Sequence, residues 1–271
     1  MTDNNFDNLL AKADPDRRLA ALFAPPEQRE RLYALYAFNH ELGRIADATS
    51  ESLIGEMKLT WWRDAVADLY ADPPQPRRHD VTEALAGLIG RLPVGELQAL
   101  VDARFEDISA RPFETLDDVL DYVDATAVRL MRLGSIACEA EIEPALLVVA
   151  GRAWGLTGLL RAFPHRASIG RAPVGGDALG EAGATPAMLA QGLGAEKVAE
   201  ARRPVVDAAR DAARDLDAAG AMPPEAVPVI GYARLAGAYL DRLPANPYQL
   251  APETNPLGRR LRMAWLSLTG R

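Results

Sequence analysis

Apolar residues recur at helical spacing through almost the whole chain, and strand-like alternation is nearly absent. Pro25-Pro26 followed by Glu27 marks a helix start, because proline suits a first turn whose N–H groups have no intrahelical partner. The periodicity predicts that this helix runs to about Ala46. Leu32, Leu35, Tyr36, Asn39, Leu42 and Gly43 share one face. An asparagine and a glycine on a core-facing stripe have two explanations. Either the face looks into a cavity, or Gly43 lets another helix approach closely. A second helix is predicted over about Ser52 to Tyr70, with Ile54, Met57, Trp61, Ala65 and Leu69 along one side. The Asp72-Pro-Pro-Gln-Pro-Arg-Arg segment after it is a loop.

Asp80-Val-Thr-Glu83 has the spacing of a capping box and opens a helix to about Leu92. The next helix spans about Val94 to Ala110. Thr115 caps a long one to about Cys138, and Pro144 starts one that ends near Phe163. Residues 164–184 are rich in glycine and proline and lack periodicity, as in a loop over a site or an ordered surface loop. Helices resume at about Pro186 to Gly192, Ala195 to Ala219 and Pro224 to Leu243. A linker over Asn246 to Pro256 leads to a short amphipathic helix. No fixed-period repeat or composition break divides the chain, so a single all-α domain over residues 1–271 is expected.

Composition narrows the function. An apolar fraction of 49% is ample for a buried core, and 30 basic against 38 acidic residues give a net charge of −8. That balance argues against a general nucleic-acid binder. The single Cys138 leaves no internal disulfide and no cysteine-rich metal site, and its commonest role is a buried filler. The default is therefore a reducing compartment. The N-terminus has no basic region followed by an apolar run, so no secretory signal is read. No stretch of about 18 apolar residues offers a spanning helix. The expectation is a cytoplasmic protein, with peripheral contact to the inner membrane as the lipid-facing option.

Asp117-Asp118-Val-Leu-Asp121 matches the DDxxD string with which many isoprenoid synthases hold magnesium, and Asp117, Asp121 and Asp124 share a face. Acids in the first turn after a Thr115 cap also favourably oppose the helix dipole. The second explanation is preferred, because no other carboxylate cluster sits in a matching context, so Asp117 and Asp121 are weak metal candidates. His40, His79 and His165 form no ligand spacing, no glycine-rich phosphate loop follows a strand, and no serine sits in a nucleophile elbow. In the last helix Leu257, Leu261, Ala264, Trp265 and Leu268 lie on one side, with Arg259, Arg260 and Arg262 on the rest. This pattern fits an interfacial helix at a membrane, or an amphipathic helix docked on the core.

Phe23-Ala-Pro-Pro-Glu-Gln-Arg-Glu-Arg-Leu-Tyr-Ala-Leu-Tyr-Ala-Phe resembles the start of squalene/phytoene synthase family proteins. Asn39-His-Glu-Leu-Gly-Arg-Ile-Ala-Asp-Ala-Thr-Ser-Glu is more similar to a divergent branch, which includes a mitochondrial respiratory complex I assembly factor. Ser52, Ile54-Gly55, Met57 and Trp61-Trp62-Arg63 continue the match, and Trp154-Gly-Leu-Thr-Gly-Leu-Leu-Arg161 resembles the family's second motif region. The likeness implies an isoprenoid-synthase-like helical bundle around a central cavity.

The departures from the family pattern bear on mechanism. Where the resemblance implies two carboxylates in the first motif, this chain has Gly43 and Asp47. Where the second motif implies an acid directly after the arginine and more acids soon after, Arg161 is followed by Ala162-Phe-Pro-His-Arg166. The arginine-plus-tyrosine stretch that usually follows is here Gly170-Arg-Ala-Pro-Val, without the tyrosine. Ionising a diphosphate requires magnesium to neutralise the leaving group, and one aspartate cannot build a three-magnesium cluster. The resemblance therefore implies a catalytically degenerate member with no catalytic residues and no cofactor. Magnesium enters only under the alternative of an active head-to-head prenyl transferase. A degenerate member would bind an isoprenoid or lipid-like ligand, or a partner such as a respiratory-complex subunit; a third option is an isoprenoid-binding module with no assembly role. The ligand-binding candidates are Asn39, Glu41, Asp47, Arg129, Arg161 and His165, with Arg166 as a weaker one. Asn39, Glu41, Asp47 and Arg161 are expected to meet at the cavity mouth. Such arginines either pair with an anionic head directly or make structural salt bridges.

Overall fold

The computed structural model describes residues 5–49, 51–109 and 111–271. All regular elements among them are helical. In chain order they are α1 (Asn5–Ala13), α2 (Pro15–Ala21), α3 (Pro26–Gly43), α4 (Ser52–Leu69), α5 (Asp80–Ala86) and α6 (Val94–Asp102). Then follow α7 (Phe105–Ser109), α8 (Leu116–Val123), a π turn (Asp124–Val128), α9 (Arg129–Cys138), α10 (Pro144–Arg161) and α11 (Phe163–Ser168). The last set is α12 (Gly176–Glu181), α13 (Pro186–Ala190), α14 (Ala195–Ala201), α15 (Arg203–Ala218), α16 (Val227–Ile230), a 3-10 turn (Gly231–Leu235), α17 (Ala236–Leu240) and α18 (Pro256–Thr269).

The main core is built on α3, where Leu32, Leu35, Tyr36, Phe38 and Leu42 are buried against Leu59, Leu100, Leu130, Leu133, Val229 and Tyr232. A second cluster joins Val119, Tyr122, Leu156, Leu160 and Val205, and packs α10 between α8 and α15. Gly151 and Gly155 permit that proximity, since a Cβ there would lie 2.4 Å and 2.6 Å from Val128 and Val123 side-chain atoms.

Several sequence expectations change in detail. The N-terminal segment, to which no helix was assigned, forms α1 and α2. Asp14 caps α2 by accepting from the Arg17 N–H, and Pro15 supplies its first turn. The helix expected to Ala46 ends at Gly43, and the one expected to Leu92 ends at Ala86. The helix expected over Val94 to Ala110 breaks between Asp102 and Phe105, and Ala110 lies outside the described residues. The one expected over Ala195 to Ala219 breaks at Arg202, where Pro204 withholds an N–H from the helical ladder. Pro224 to Leu243 is three short turns rather than one helix.

The segment 164–184 is not one loop. It carries α11 and α12, and Phe163, Ala167, Ala172, Val174 and Leu179 share a small core with Leu189 and Val198. These helices are too short for periodicity to register. Thr115 to Cys138 is helical throughout as expected, but a π turn interrupts it, a feature frequent at functional sites. Among the described residues, no helix is long and apolar enough to cross a membrane.

Candidate ligand site

α2, α3, α7, α8, the π turn, α9, α10 and α11 converge on a cavity of about 310 Å³. This is at the small end of ligand pockets, which run roughly 300–1,000 Å³. Val123, Ala127, Leu130, Trp154 and Leu159 supply its apolar lining. The rest is a cluster of charged and polar groups.

Arg104 sits at the break between α6 and α7, where the turn frees its side chain to reach three elements. One of its terminal nitrogens donates to Asp107 at 3.3 Å and to the Tyr122 hydroxyl at 3.0 Å; the other donates to the Asn39 amide oxygen at 3.0 Å. Arg166, on α11, donates from Nη2 to Asp107 at 3.2 Å and to the Tyr122 hydroxyl at 3.1 Å. The Tyr122 hydroxyl donates in turn to the Asp107 carboxylate, 2.8 Å from each oxygen. One buried carboxylate therefore faces two guanidiniums through a shared phenol.

Burial by itself would raise the Asp107 pKa. The charges of Arg104 and Arg166, the Tyr122 hydrogen bond and the charge of Arg171 outweigh it and hold the carboxyl below its ordinary value. Burial and the neighbouring Asp107 push the Tyr122 hydroxyl up, so it stays a donor. Burial works against the charge on Arg166, but Tyr122 and Asp107 more than compensate and keep it cationic. Among the described residues, Nε of Arg104 and Nη1 of Arg166 are buried without a hydrogen-bond partner. Buried donors normally have one.

Arg17 is the third guanidinium in the lining. Its Nε donates to the Tyr232 hydroxyl at 3.1 Å, its Nη1 pairs with Asp14 at 2.5 Å, and it lies over the Tyr232 ring at 5.1 Å. At the mouth, His165 Nε2 and Asp47 Oδ1 are 2.7 Å apart, both about half exposed. Nothing lies within 4 Å of where a Cβ would stand on Gly43 or Gly158. Gly43 thus opens onto cavity space and is not a close-packing contact.

Of the residues proposed from sequence, Asn39, Asp47, His165 and Arg166 line the cavity. The structure places the other three elsewhere. Glu41 pairs with Arg44 at 3.3 Å and borders a separate groove beside Trp61. It is two residues from both Asn39 and Gly43, and so on a different face of the same helix. Arg129 turns to Glu96 at 2.5 Å. Arg161 lies over the Tyr239 ring at 3.9 Å. Asn39, Glu41, Asp47 and Arg161 therefore do not meet at one mouth.

Asp117 and Asp121 are exposed and outside the cavity lining. Asp118 completes a capping box with Thr115, and Asp124 receives Arg152 at 2.9 Å and 2.7 Å. Among the described residues, no three His, Cys, Asp or Glu side chains gather as a metal site. Sequence reasoning missed Arg17, Arg104, Asp107 and Tyr122. Asp14-Pro15, a cap followed by a first-turn proline, was the available signal for Arg17. Nothing local marked the helix break that aims Arg104.

A helical bundle whose central cavity lies between the two motif helices is the architecture of an isoprenoid-synthase-type protein. The squalene/phytoene synthase family matches residues 10–266, and the chain belongs to that family. It is 30% identical over 183 residues to NADH dehydrogenase (ubiquinone) complex I, assembly factor 6 of Bos taurus, covering 62% of this chain and 51% of the relative. It is 32% identical over 165 residues to the presqualene diphosphate synthase of Sinorhizobium fredii, covering 59% and 58%. The matches thus take in only about half the length of these curated relatives. The fold matches that of a dehydrosqualene synthase crystallised with a ligand, at a TM-score of 0.78 and 16% identity over 97% of this chain and 94% of that one. A squalene synthase, HpnC, from Alicyclobacillus acidocaldarius gives 0.68 and 19% over 98% and 92%.

Proposed function

We propose that this chain is a non-catalytic squalene/phytoene synthase family member whose cavity takes an anionic head group with an apolar tail, without a bridging metal. The observation that carries this reading is the identity of the lining. At the place of the second motif's acids stand Ala162, His165 and Arg166, and all three border the cavity with Arg17 and Arg104. Guanidiniums pair with phosphate or carboxylate directly, in a fork.

The donor set does not fit a magnesium cluster. Among the described residues, Asp47 and Asp107 are the only carboxylates in the lining. Asp47 is tied to His165, and Asp107 is buried between Arg104 and Arg166. A divalent ion here would displace these partners and meet nearby positive charge. Magnesium-assisted ionisation of a diphosphate has no set of carboxylates to rest on.

The likeness to the assembly factors supports a role in assembling a respiratory complex, with the cavity as a ligand or partner site. The likeness to presqualene diphosphate synthases, together with the retained Asp47, favours the rival reading of an active prenyl transferase. Incubation with farnesyl or geranylgeranyl diphosphate and magnesium separates the two. Diphosphate release at the no-protein background is expected. Release above it that Asp47→Ala abolishes would establish the rival.

A further inference from the structure

The C-terminal helix α18 carries apolar residues on two faces, and only one is used by the fold. Met263 and Leu266 are buried against the bundle. On the same side the Arg259 guanidinium donates to Asp16 at 2.8 Å and to the Tyr239 hydroxyl at 3.3 Å. The helix is also fixed at its ends. The Asn255 side chain accepts from the Leu257 N–H at 3.0 Å, and the Gly270 carbonyl accepts from the Met222 N–H at 2.8 Å. The helix is thus docked and capped.

The stripe read from the sequence points the other way. Leu257 is 61% exposed, Leu261 62%, Trp265 63% and Leu268 83%. Their spacing of four, four and three residues places them along one line of the helix, about 17 Å long at the helical rise. Arg260, Arg262 and Arg271 are exposed, and among the described residues none of them forms an ion pair. No acidic residue follows Glu253. In a chain of net charge −8, this is a local excess of positive charge flanking a row of leucines and a tryptophan.

We infer that the outer face of α18 docks onto an anionic lipid surface. The leucines and Trp265 enter the headgroup–acyl boundary while the arginines keep their guanidiniums at phosphate level, with the helix axis in the membrane plane. Charge decides the occupant: the face is basic, and a second copy of this acidic chain would present the same basic face to it across a two-fold axis. Size agrees, since four apolar side chains are far fewer than the roughly 20–30 residues a side of a stable protein–protein interface. The docked face also touches the cavity region. Asp16, the partner of Arg259, precedes the cavity residue Arg17, and Tyr239 packs on the cavity residue Trp154 with ring centroids 6.0 Å apart.

Flotation of the full chain with vesicles tests this inference independently of any cavity ligand. Vesicles of phosphatidylcholine alone are compared with vesicles that also contain phosphatidylglycerol. Co-flotation is expected with the anionic vesicles only, weakening as salt rises. It should fall about tenfold or more in Leu261→Asp and Trp265→Asp, and severalfold in the double variant Arg260→Gln, Arg262→Gln. All four side chains are exposed, so unchanged melting curves are expected, and the arginine variant gives a reading even if an apolar one is unstable. Absence of co-flotation, equal flotation of well-folded variants, or a wild-type dimer that Leu261→Asp dissociates would overturn the inference.

Discussion

His165 and Asp47, 118 positions apart in the chain, meet at 2.7 Å across the mouth of the cavity. Asp47, on the first family-like segment, thus faces the imidazole that follows the second such segment. Both groups are about half exposed, so solvent screens the pair. His165→Gln and Asp47→Asn should each change the unfolding free energy by less than about 1 kcal/mol. Chemical denaturation checks this, and a larger loss would mean the pair holds the bundle together rather than framing its opening.

Asp107 should behave in the opposite way. Removing its charge leaves Arg104 and Arg166 buried without their counter-ion, and breaking a buried pair of this kind costs about 3–5 kcal/mol. Asp107→Asn should unfold at clearly lower denaturant concentration. The pH dependence has a definite sign. Because the folded-state pKa of Asp107 is depressed, its stabilisation is fully present above the unfolded-state pKa, near 3.8, and is lost as pH falls through the folded value. Wild-type stability should therefore fall steeply below about pH 4, and Asp107→Asn should fall less steeply. Parallel acid titrations of the two proteins would contradict the assignment.

Gly43 opens onto space, and aspartate has a slightly better helix propensity than glycine. Gly43→Asp, which restores a carboxylate to the first motif, should fold with a melting temperature close to wild type. The added negative charge beside Asp47 should weaken anion binding severalfold. It should not confer diphosphate release, since Ala162, His165 and Arg166 still occupy the second motif. Turnover by this single variant would show that the second motif's acids are dispensable here.

Cys138 packs in the main core, and burial pushes its thiol up to about 11. Thiolate is the reactive form, so a thiol reagent at neutral pH should leave the folded protein unlabelled. Labelling should appear only with denaturant, following the global unfolding curve. Fast labelling of the native state would place Cys138 near an opening that the packing does not show.

Fold class was legible in the sequence because helical periodicity, proline starts and threonine caps act locally. The cavity was legible through Asn39 and Gly43, two residues that a solid core would not choose for one face. The charged cluster was not. Arg104 reaches its partners from the break after α6 ends at Asp102, and no glycine, proline or cap residue in the sequence marks that break. Arg161 and Arg129 sit on family-like segments, yet their guanidiniums turn to Tyr239 and Glu96. A helical position fixes a face only to within a long side chain's reach, and arginine follows its nearest acceptor or ring. The outward stripe of α18 was seen in the sequence, but its direction was not, since a docked helix and an interfacial helix share one periodicity.

The central claim is direct anion capture by guanidinium without metal. Calorimetric titration of a farnesyl monophosphate analogue into wild type and Arg166→Gln, each with magnesium and with a chelator, tests it most directly. The expected result is wild-type binding of equal affinity in both buffers, weakened about tenfold or more in Arg166→Gln. Melting curves of the variant distinguish lost affinity from lost structure. Wild-type affinity that vanishes with the chelator, or that is unchanged in a folded Arg166→Gln, would contradict it.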